Sequence, residues 1–388
     1  MYINHRTVKC VLIAALLTAN MTSVMAEFVS ITQVKEQTAQ GWHKTYQSQG
    51  RSIAVDIPVQ VPPVEKFPLL SAVPVPLSSK VTQTDGNRGT EVGTAFVFNT
   101  PTGFRWDNYQ PGVMAQAAAK AAQPPSRSMD TPTIIRRLNQ LEPDTPYAYG
   151  NPATAAQAQS FLYDKWAEFF PEQGAMRLEP RWIMAYGPLR KYDEATGEYS
   201  GEPWPEFDPP LQVYFDQYLH DIPVLGFAVM SFATYTGPKK EETRNFLGAV
   251  AILQQQDGIG LSEPFLSAQF QLVQEVSAAP DDLPLCSFEK ALSTYEELIA
   301  QGQLRSVDSL RLGYIAWYEQ KEATSFLLLP TWVLEGELYK DAKQKDKGPR
   351  EHKSFGTVLV NAQTGELINP WNSSPNRAYK APPVKFWP

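Results

Sequence analysis

Residues 287–302 read SFEKALSTYEELIAQG, and this stretch, with the sequence that follows it, decides the predicted fold. Apolar side chains recur there at helical spacing, at Phe288, Ala291, Leu292, Tyr295, Leu298 and Ile299. Ser287 is placed to cap the amino end of a helix, and Gly302 is placed to end it. Three stretches with the composition of strands follow, at 310–318, 325–334 and 355–361. The pattern predicts a helix and then an antiparallel meander.

The same order of elements occurs earlier in the chain. Leu162, Trp166 and Phe169 share one face of a predicted helix, which the next proline ends. Stretches predicted as strands or short amphipathic segments follow, at 181–192, 211–218, 223–234 and 246–255. We therefore expect an α+β fold of two tandem helix-plus-antiparallel-meander units, at 151–260 and 261–388.

The portion 27–150 is predicted to be extended and to contain strands. Apolar and polar side chains alternate over 53–61, and Pro58 predicts either an edge strand or the end of a strand. The prolines between residues 62 and 76 predict an extended tether that packs over a sheet.

A Pro- and Ala-rich linker is predicted within 100–160. A further strand is predicted at 91–99, and two helices are predicted at 114–122 and 131–140. The pattern leaves open whether 27–150 forms a separate domain or wraps around the other two units.

Residues 1–26 have the organisation of a secretory signal peptide. Arg6 and Lys9 precede a short apolar run, and the small residues that end at Ala26 predict cleavage after it. The protein is then secreted or extracytoplasmic, in the cell envelope, and has no stable membrane span. The alternative is a signal that is kept as an anchor. Cys10 lies before the apolar run, where a lipid-attachment cysteine would not be.

The composition of the chain limits which classes of function are possible. The chain has 388 residues, of which 43% are hydrophobic, so it can bury several cores. Its formal net charge of −7 argues against a nucleic-acid partner, which selects a basic surface. Cys286 would be the one cysteine left after cleavage, so no internal disulfide is expected and stability must come from packing.

Short motifs in both halves carry a family resemblance. The quoted helix, with Leu312-Gly-Tyr314, Leu329-Pro-Thr-Trp332 and the turn Val360-Asn-Ala-Gln-Thr-Gly-Glu366, resembles the PepSY-like and YycH/YycI-like extracytoplasmic domains. Asp221-Ile-Pro-Val224 looks like their strand entry, with His220-Asp221 where a glycine is usual. The resemblance implies cystatin-like units that act by binding, for example by restraining a protease or a sensor kinase.

A second resemblance concerns the start of the chain after the signal. The stretch Ile53 to Pro62, followed by Lys66-Phe-Pro68, looks like the beginning of an uncharacterised family of bacterial envelope proteins. Members of that family are usually lipoproteins, and this chain lacks the lipid-attachment motif.

The motifs that usually carry chemistry are missing. The sequence has no glycine-rich phosphate loop, no HExxH, no CxxC and no GxSxG. The histidines that would remain after cleavage lie far apart, at His43, His220 and His352. We therefore predict no catalytic residue, no cofactor and no metal site.

Aromatic residues provide the candidate site. Trp204, Trp317, Trp332 and Trp371 are predicted as a possible binding surface, since tryptophan is enriched where proteins bind one another. Both faces of the strand at 310–318 are apolar, and one helix can cover only one of them. The alternative is that another part of the chain covers the second face and that these rings belong to the core.

The leading hypothesis is an exported, non-enzymatic protein that binds an envelope protein or a peptide and thereby regulates a sensor kinase or a protease. A hydrolase of peptides or wall glycans, using a pair of carboxylates in a cleft, is a second hypothesis. A protein that binds glycans or small ligands through exposed tryptophans is the third.

Overall fold

The computed structural model describes residues 28–48, 50–76, 78–81, 90–92, 95–100, 103–108, 133–137, 140–148, 150–186, 190–193, 196, 198–203, 210–225, 248–254, 265–317, 325–338 and 354–368. The helices in this part of the chain are α1 (Ile31–Thr38), α2 (Ala155–Phe169) and α3 (Phe288–Ala300). The strands of its first half are β1 (Phe28–Val29), β2 (Trp42–Ser48), β3 (Arg51–Ile57), β4 (Val59–Gln60), β5 (Pro68–Pro74), β6 (Thr90–Val92), β7 (Ala95–Thr100), β8 (Gly103–Asp107), β9 (Thr133–Arg137), β10 (Arg177–Tyr186), β11 (Arg190–Asp193) and β12 (Glu198–Pro203). The strands of its second half are β13 (Leu211–Leu219), β14 (Ile222–Val224), β15 (Gly248–Gln254), β16 (Phe265–Gln271), β17 (Val273–Asp282), β18 (Leu285–Cys286), β19 (Ser309–Trp317), β20 (Phe326–Leu338), β21 (Ser354–Asn361) and β22 (Leu367–Ile368).

Sixteen of these strands form one mixed sheet. Its main path runs β17-β5-β20-β19-β14-β13-β15-β16-β8-β7-β6, and β4, β9, β10, β21 and β22 attach beside that path. Most pairs are antiparallel, but β19 pairs in parallel with both β14 and β4. Three separate two-stranded ribbons pair β1 with β18, β2 with β3, and β11 with β12.

The predicted α+β fold of tandem helix-and-meander units is wrong. The described residues are mostly strand, and the helices among them have only 8, 15 and 13 residues. The strands of the two predicted units join in one sheet, because β15 pairs along its length with β16 and Val224 of β14 pairs with Tyr314 of β19. The prediction assumed that strands pair with their sequence neighbours, which is the usual case. Many sequence neighbours do pair, as in β19-β20-β21, but pairings between distant parts of the chain, such as β5 with β17 and β20, join them into one sheet.

The N-terminal portion contributes several of these distant pairings. The predicted tether is strand β5, which lies inside the sheet between β17 and β20. The strand predicted at 91–99 is two strands, β6 and β7, and the helix predicted at 131–140 is wrong because strand β9 lies there. The helix predicted at 114–122 and the signal peptide lie outside the described residues.

The two amphipathic helices are confirmed. Leu162, Trp166 and Phe169 are buried on one face of α2. In α3 the side chain of Ser287 accepts a hydrogen bond from the backbone N–H of Lys290, and Gly302 follows the helix with φ of +72°. No helix within the described ranges is long and apolar enough to cross a membrane.

The strands predicted in the second half agree with β15, β19, β20 and β21 within a few residues. Helix α1 was not predicted, although Ser30 and Gln33 form a capping box at its start.

Three apolar clusters hold the fold. The first lies beneath α1 and α3 and includes Tyr295, Tyr314 and Trp332. The second lies beneath α2 and takes side chains from β8, β10, β13, β15 and β16. The third covers the opposite face of β19, β20 and β21, where Leu225 packs with Ile315 and Trp317. Both faces of β19 are therefore buried along its whole length, although the strand also carries Ser309 and Arg311.

Gly336 of β20 lies where the segment that contains Ser306 comes very close to the strand. A Cβ atom there would lie 2.0 Å from the carbonyl oxygen of Ser306, whose segment runs alongside β20. We expect Gly336→Ala to lower the free energy of unfolding by about 1–3 kcal/mol, because the backbone must shift to admit the methyl group. Urea denaturation measures this. Gly174→Ala is the matched control, since nothing lies within 4 Å of its Cβ position, and an equal effect of both changes would contradict the close approach.

Candidate functional site: the outer edge of strand β17

The two described members of the predicted tryptophan surface are buried. Trp332 is 1% exposed and Trp317 is 3% exposed, so neither ring is available to a partner. Trp332 packs against Phe288 of α3 at 5.3 Å between ring centroids, and Trp317 belongs to the third apolar cluster. Trp204 and Trp371 lie outside the described residues.

The other tryptophans of the described ranges are also buried: Trp42, Trp106, Trp166 and Trp182. This part of the chain therefore offers no concave patch of exposed tryptophans. The aromatic residues stabilise the cores, and a binding surface has to be sought elsewhere.

Four charged side chains meet inside the protein and form what we call the ionic junction: Arg181, Asp216, Arg311 and Glu335. Each is at most 4% exposed. The Nε of Arg181 donates to Glu335 Oε1 at 3.0 Å, and Nη1 of Arg311 donates to Asp216 Oδ2 at 2.5 Å. Two arginines face two carboxylates, so the junction is neutral as a whole. Buried charges persist in proteins when they are paired in this way.

The backbone explains why Arg181 reaches this point. The register of β10 against β13 shifts between Pro180 and Trp182, so Arg181 occupies a β-bulge. A bulge leaves one residue unpaired and redirects its side chain. Asp216 lies beside a branch in the sheet, because β14 and β15 pair with neighbouring segments of the same edge of β13.

The ionic junction is not suited to acid–base catalysis. Burial raises the pKa of Glu335, but the nearby guanidinium groups of Arg181 and Arg311 outweigh that effect and lower the pKa to about 2. A general acid needs a carboxyl that still holds its proton near neutral pH. Glu335 is ionised there, and Ser309 donates to its other oxygen at 2.8 Å. We assign the junction a structural role.

The outer edge of β17 is different, because it is exposed. This strand pairs with β5 on one side, and no other described strand pairs with it. The register shifts between Glu275 and Ser277, so Val276 occupies a bulge, and its side chain is 62% exposed. It is the most exposed of the large hydrophobic side chains in the described ranges. An unpaired edge with an apolar side chain is a template for another strand.

The two ends of this edge are closed. At the start, the side-chain amide of Gln217 donates to the carbonyl of Val273 at 2.7 Å and accepts from its N–H at 2.9 Å. Gln217 thus takes the position of a neighbouring strand at that residue. Near the other end Pro280 has no N–H to donate. The open part, which we call the β17 window, is therefore 274–279.

Backbone groups in the β17 window can be assigned from this arrangement. Val273 directs its N–H and C=O outward to Gln217, whereas the carbonyl of Leu272 points inward and accepts from Val75. Because these directions alternate along a strand, Glu275 directs its N–H and C=O outward. No described residue pairs with them.

A strained turn lies beside the window. His220 and Asp221 connect β13 to β14, with φ of +50° and +61°. Two-residue hairpin turns with positive φ at both positions usually contain Asn-Gly. Strained backbone of this kind persists where its surroundings hold it, often at functional sites. Here Nε2 of His220 lies 2.5 Å from Glu275 Oε2, so the turn is attached to the window.

Arg177 completes this corner of the molecule. Its guanidinium donates to Glu179 at 3.1 Å and to Asp221, and it lies 4.6 Å from the ring centroid of Tyr218. We call the set Arg177, Glu179, His220, Asp221 and Glu275 the charged corner. Within the described ranges no three His, Cys, Asp or Glu side chains are arranged to hold a metal ion.

Only part of this site is evident in the sequence. His220-Asp221 stands where the resemblance has a glycine, and it marks the strained turn. The strand β17 was not predicted, because its apolar residues do not alternate and Val276 interrupts the period. An isolated valine between Glu275 and Ser277 gives no signal of exposure until the pairing with β5 is known.

Comparisons with known proteins add little. No protein-family model matches the chain, and no curated protein matches it. Among solved structures, it is similar to the crystal structure of an uncharacterized protein from Eubacterium rectale, with a TM-score of 0.44 and 10% identity over 87% of this chain and 97% of that one. A TM-score at that level carries no argument about function. The family resemblances drawn from the motifs stay predictions.

Replacing Trp332 tests its place in the core. We expect Trp332→Ala to lower the free energy of unfolding by about 3–5 kcal/mol, because it removes a large buried ring. Trp332→Phe should cost much less, because the indole N–H is buried without a partner in the described residues and its loss offsets part of the cavity. Thermal or urea unfolding measures both. A Trp332→Ala loss below about 0.5 kcal/mol would contradict the assignment.

Breaking the ionic junction should be costly. Arg181→Met leaves Glu335 buried without its main cation and is expected to destabilise by about 3–5 kcal/mol. The double variant Arg181→Met/Glu335→Leu should regain most of that loss, since it removes the isolated charge as well. Urea denaturation of the two single variants and the double variant measures the coupling energy. Additive losses would show that the two side chains do not interact.

The junction also predicts a dependence on pH. An unfolded glutamate has a pKa of about 4.3. The folded pKa of Glu335 is about 2. Its contribution is therefore complete above about pH 4.3 and is lost as the pH falls toward 2. The free energy of unfolding of the double variant should fall less steeply over that range than that of the unaltered protein. Parallel curves would contradict the lowered pKa.

Proposed function

We propose that this protein is exported and non-enzymatic, and that it binds an envelope protein or a peptide. The observation that supports the proposal is the β17 window, an exposed edge with outward backbone groups and the 62% exposed side chain of Val276. Addition of a strand to a sheet edge is a common mode of peptide recognition, because the backbone hydrogen bonds need no particular sequence.

The closed ends of the window favour binding over accidental exposure. Proteins protect edge strands with prolines, bulges and charged side chains, which prevent uncontrolled association. The side-chain amide of Gln217 on the backbone of Val273, which we call the Gln217 clamp, provides such protection at one end. Pro280 provides it at the other. Between them the bulge carries valine rather than a charged residue, and it turns that valine outward. The same devices that close the ends therefore leave a delimited segment open.

The export of the protein rests on the signal-like segment 1–26, and regulation of a sensor kinase or a protease rests on the motif resemblance. Both parts are open to direct test. Mass spectrometry of the protein purified from the cell envelope would determine whether it begins after Ala26. A mature chain that retains residues 1–26 would show that the segment is not cleaved and would favour the alternative, a signal kept as an anchor.

In-cell crosslinking tests the binding function at this site. We expect a photo-crosslinking amino acid at position Val276 to capture one dominant envelope protein or peptide, identified by mass spectrometry. Leu367, the other large hydrophobic residue with high exposure at 51%, is the matched control position. Capture of the same product from both positions, or no product from Val276, would contradict the proposal.

A further inference from the structure

We propose that the β17 window binds a cationic extended segment of another protein, which adds to the sheet as a strand with a Lys or Arg side chain at the charged corner. The inference rests on the proposed function and specifies the chemistry of the partner. Its grounds are the exposed edge, the sign of the charge beside it and the apolar side chain that the bulge exposes.

The first step concerns the conformation of the partner. The outward N–H and C=O of Glu275 have no partner among the described residues, and both are main-chain groups. An extended backbone supplies a matching donor and acceptor at every second residue. A helix has no free main-chain groups along its length and cannot do so. The edge is therefore suited to an added strand rather than to a helix.

The second step concerns charge. The charged corner contains three carboxylates, those of Glu179, Asp221 and Glu275, and one guanidinium, that of Arg177. Its formal charge is therefore −2 when histidine is left out of the count, as it is for the whole chain. The side chains are accessible: Asp221 is 63% exposed, Glu179 37% and Glu275 30%. The chain as a whole carries a formal charge of −7, which adds long-range attraction for a cationic segment.

The third step concerns a second copy of the chain, which is a less favourable occupant than a cationic segment. Self-pairing of β17 through a twofold axis would place one charged corner in the field of another of the same sign. Like charges across an interface disfavour association and select other partners. A cationic segment from a different protein meets no such repulsion.

The fourth step concerns the apolar contact. Val276 is 62% exposed and Ala278 is also exposed, next to the corner and on the open edge. Alternate side chains of an added strand lie on one face of the sheet. A segment that alternates basic and apolar side chains would therefore place its charges at the corner and its apolar groups beside Val276.

Calorimetric titration with synthetic peptides tests the proposal. The probes are a nine-residue peptide of alternating lysine and valine, the same peptide with glutamate for lysine, and the lysine peptide with alternate backbone nitrogens methylated. We expect the lysine peptide to bind at least about tenfold more tightly than either control, a difference of 1.4 kcal/mol. Its affinity should also fall as salt is added.

Variants of the protein locate the binding. Val276→Lys and Glu275→Gln should each weaken the lysine peptide several-fold, and Leu367→Lys, at the control position, should leave its affinity unchanged. Circular dichroism and urea denaturation confirm that each variant is folded before titration. An effect of Leu367→Lys equal to that of Val276→Lys would place the binding elsewhere and overturn the proposal.

The remaining outcomes are each decisive. Equal affinity for the lysine and glutamate peptides, or no binding of either, overturns the cationic partner. Equal affinity for the methylated peptide overturns strand addition. Dimerisation in analytical ultracentrifugation that Val276→Lys abolishes would make a second copy the occupant. In all these cases the proposed function is judged separately, by capture from Val276 in cells, so the two failures can be distinguished.

Discussion

The fold depends on keeping two arginines and two carboxylates neutralised inside the protein. Arg181 and Asp216 come from the strands above which α2 packs, whereas Arg311 and Glu335 come from the strands beneath α3. Arg181 lies 3.7 Å from Asp216 on its own side, but the closest carboxylate of each arginine comes from the other side of this boundary. The ionic junction therefore links the two sides, in addition to the short parallel contact of Val224 with Tyr314.

The sheet is continuous through the pairing of β13, β14 and β19, although its two main apolar cores are separate. A hydrophobic cluster has little directional preference, and each of the two main clusters could in principle tolerate small displacements of the other. Hydrogen-bonded charge pairs require defined distances and angles. The bulge at Arg181 supplies one of those angles, so a local irregularity of β10 contributes to the arrangement of the whole described sheet.

Local features could be predicted from the sequence, and distant pairings could not. The faces of α2 and α3 were evident because helical periodicity repeats within a few residues, as at Leu162 and Trp166. The burial of both faces of β19 was anticipated as an alternative, from Ile315 and Trp317 on one side and Tyr314 on the other. The place of β5 between β17 and β20 could not be predicted, since nothing near Leu70 in sequence indicates which strands will flank it. For the same reason the ionic junction and the β17 window were missed: each consists of residues that long-range pairing brings together.

The Gln217 clamp has a consequence for the strength and duration of any association at this edge. It occupies the backbone of Val273 and, with Pro280, leaves a window of about six residues, or roughly 20 Å of strand. So short a ribbon can form only a few main-chain hydrogen bonds, each of which contributes about 1 kcal/mol net. A partner from dilute solution would occupy it briefly. A partner confined to the same compartment or held on a tether would raise its own local concentration to the millimolar range and remain bound. Because the clamp keeps the edge short, the fraction of edges that are occupied depends on the local concentration of the partner.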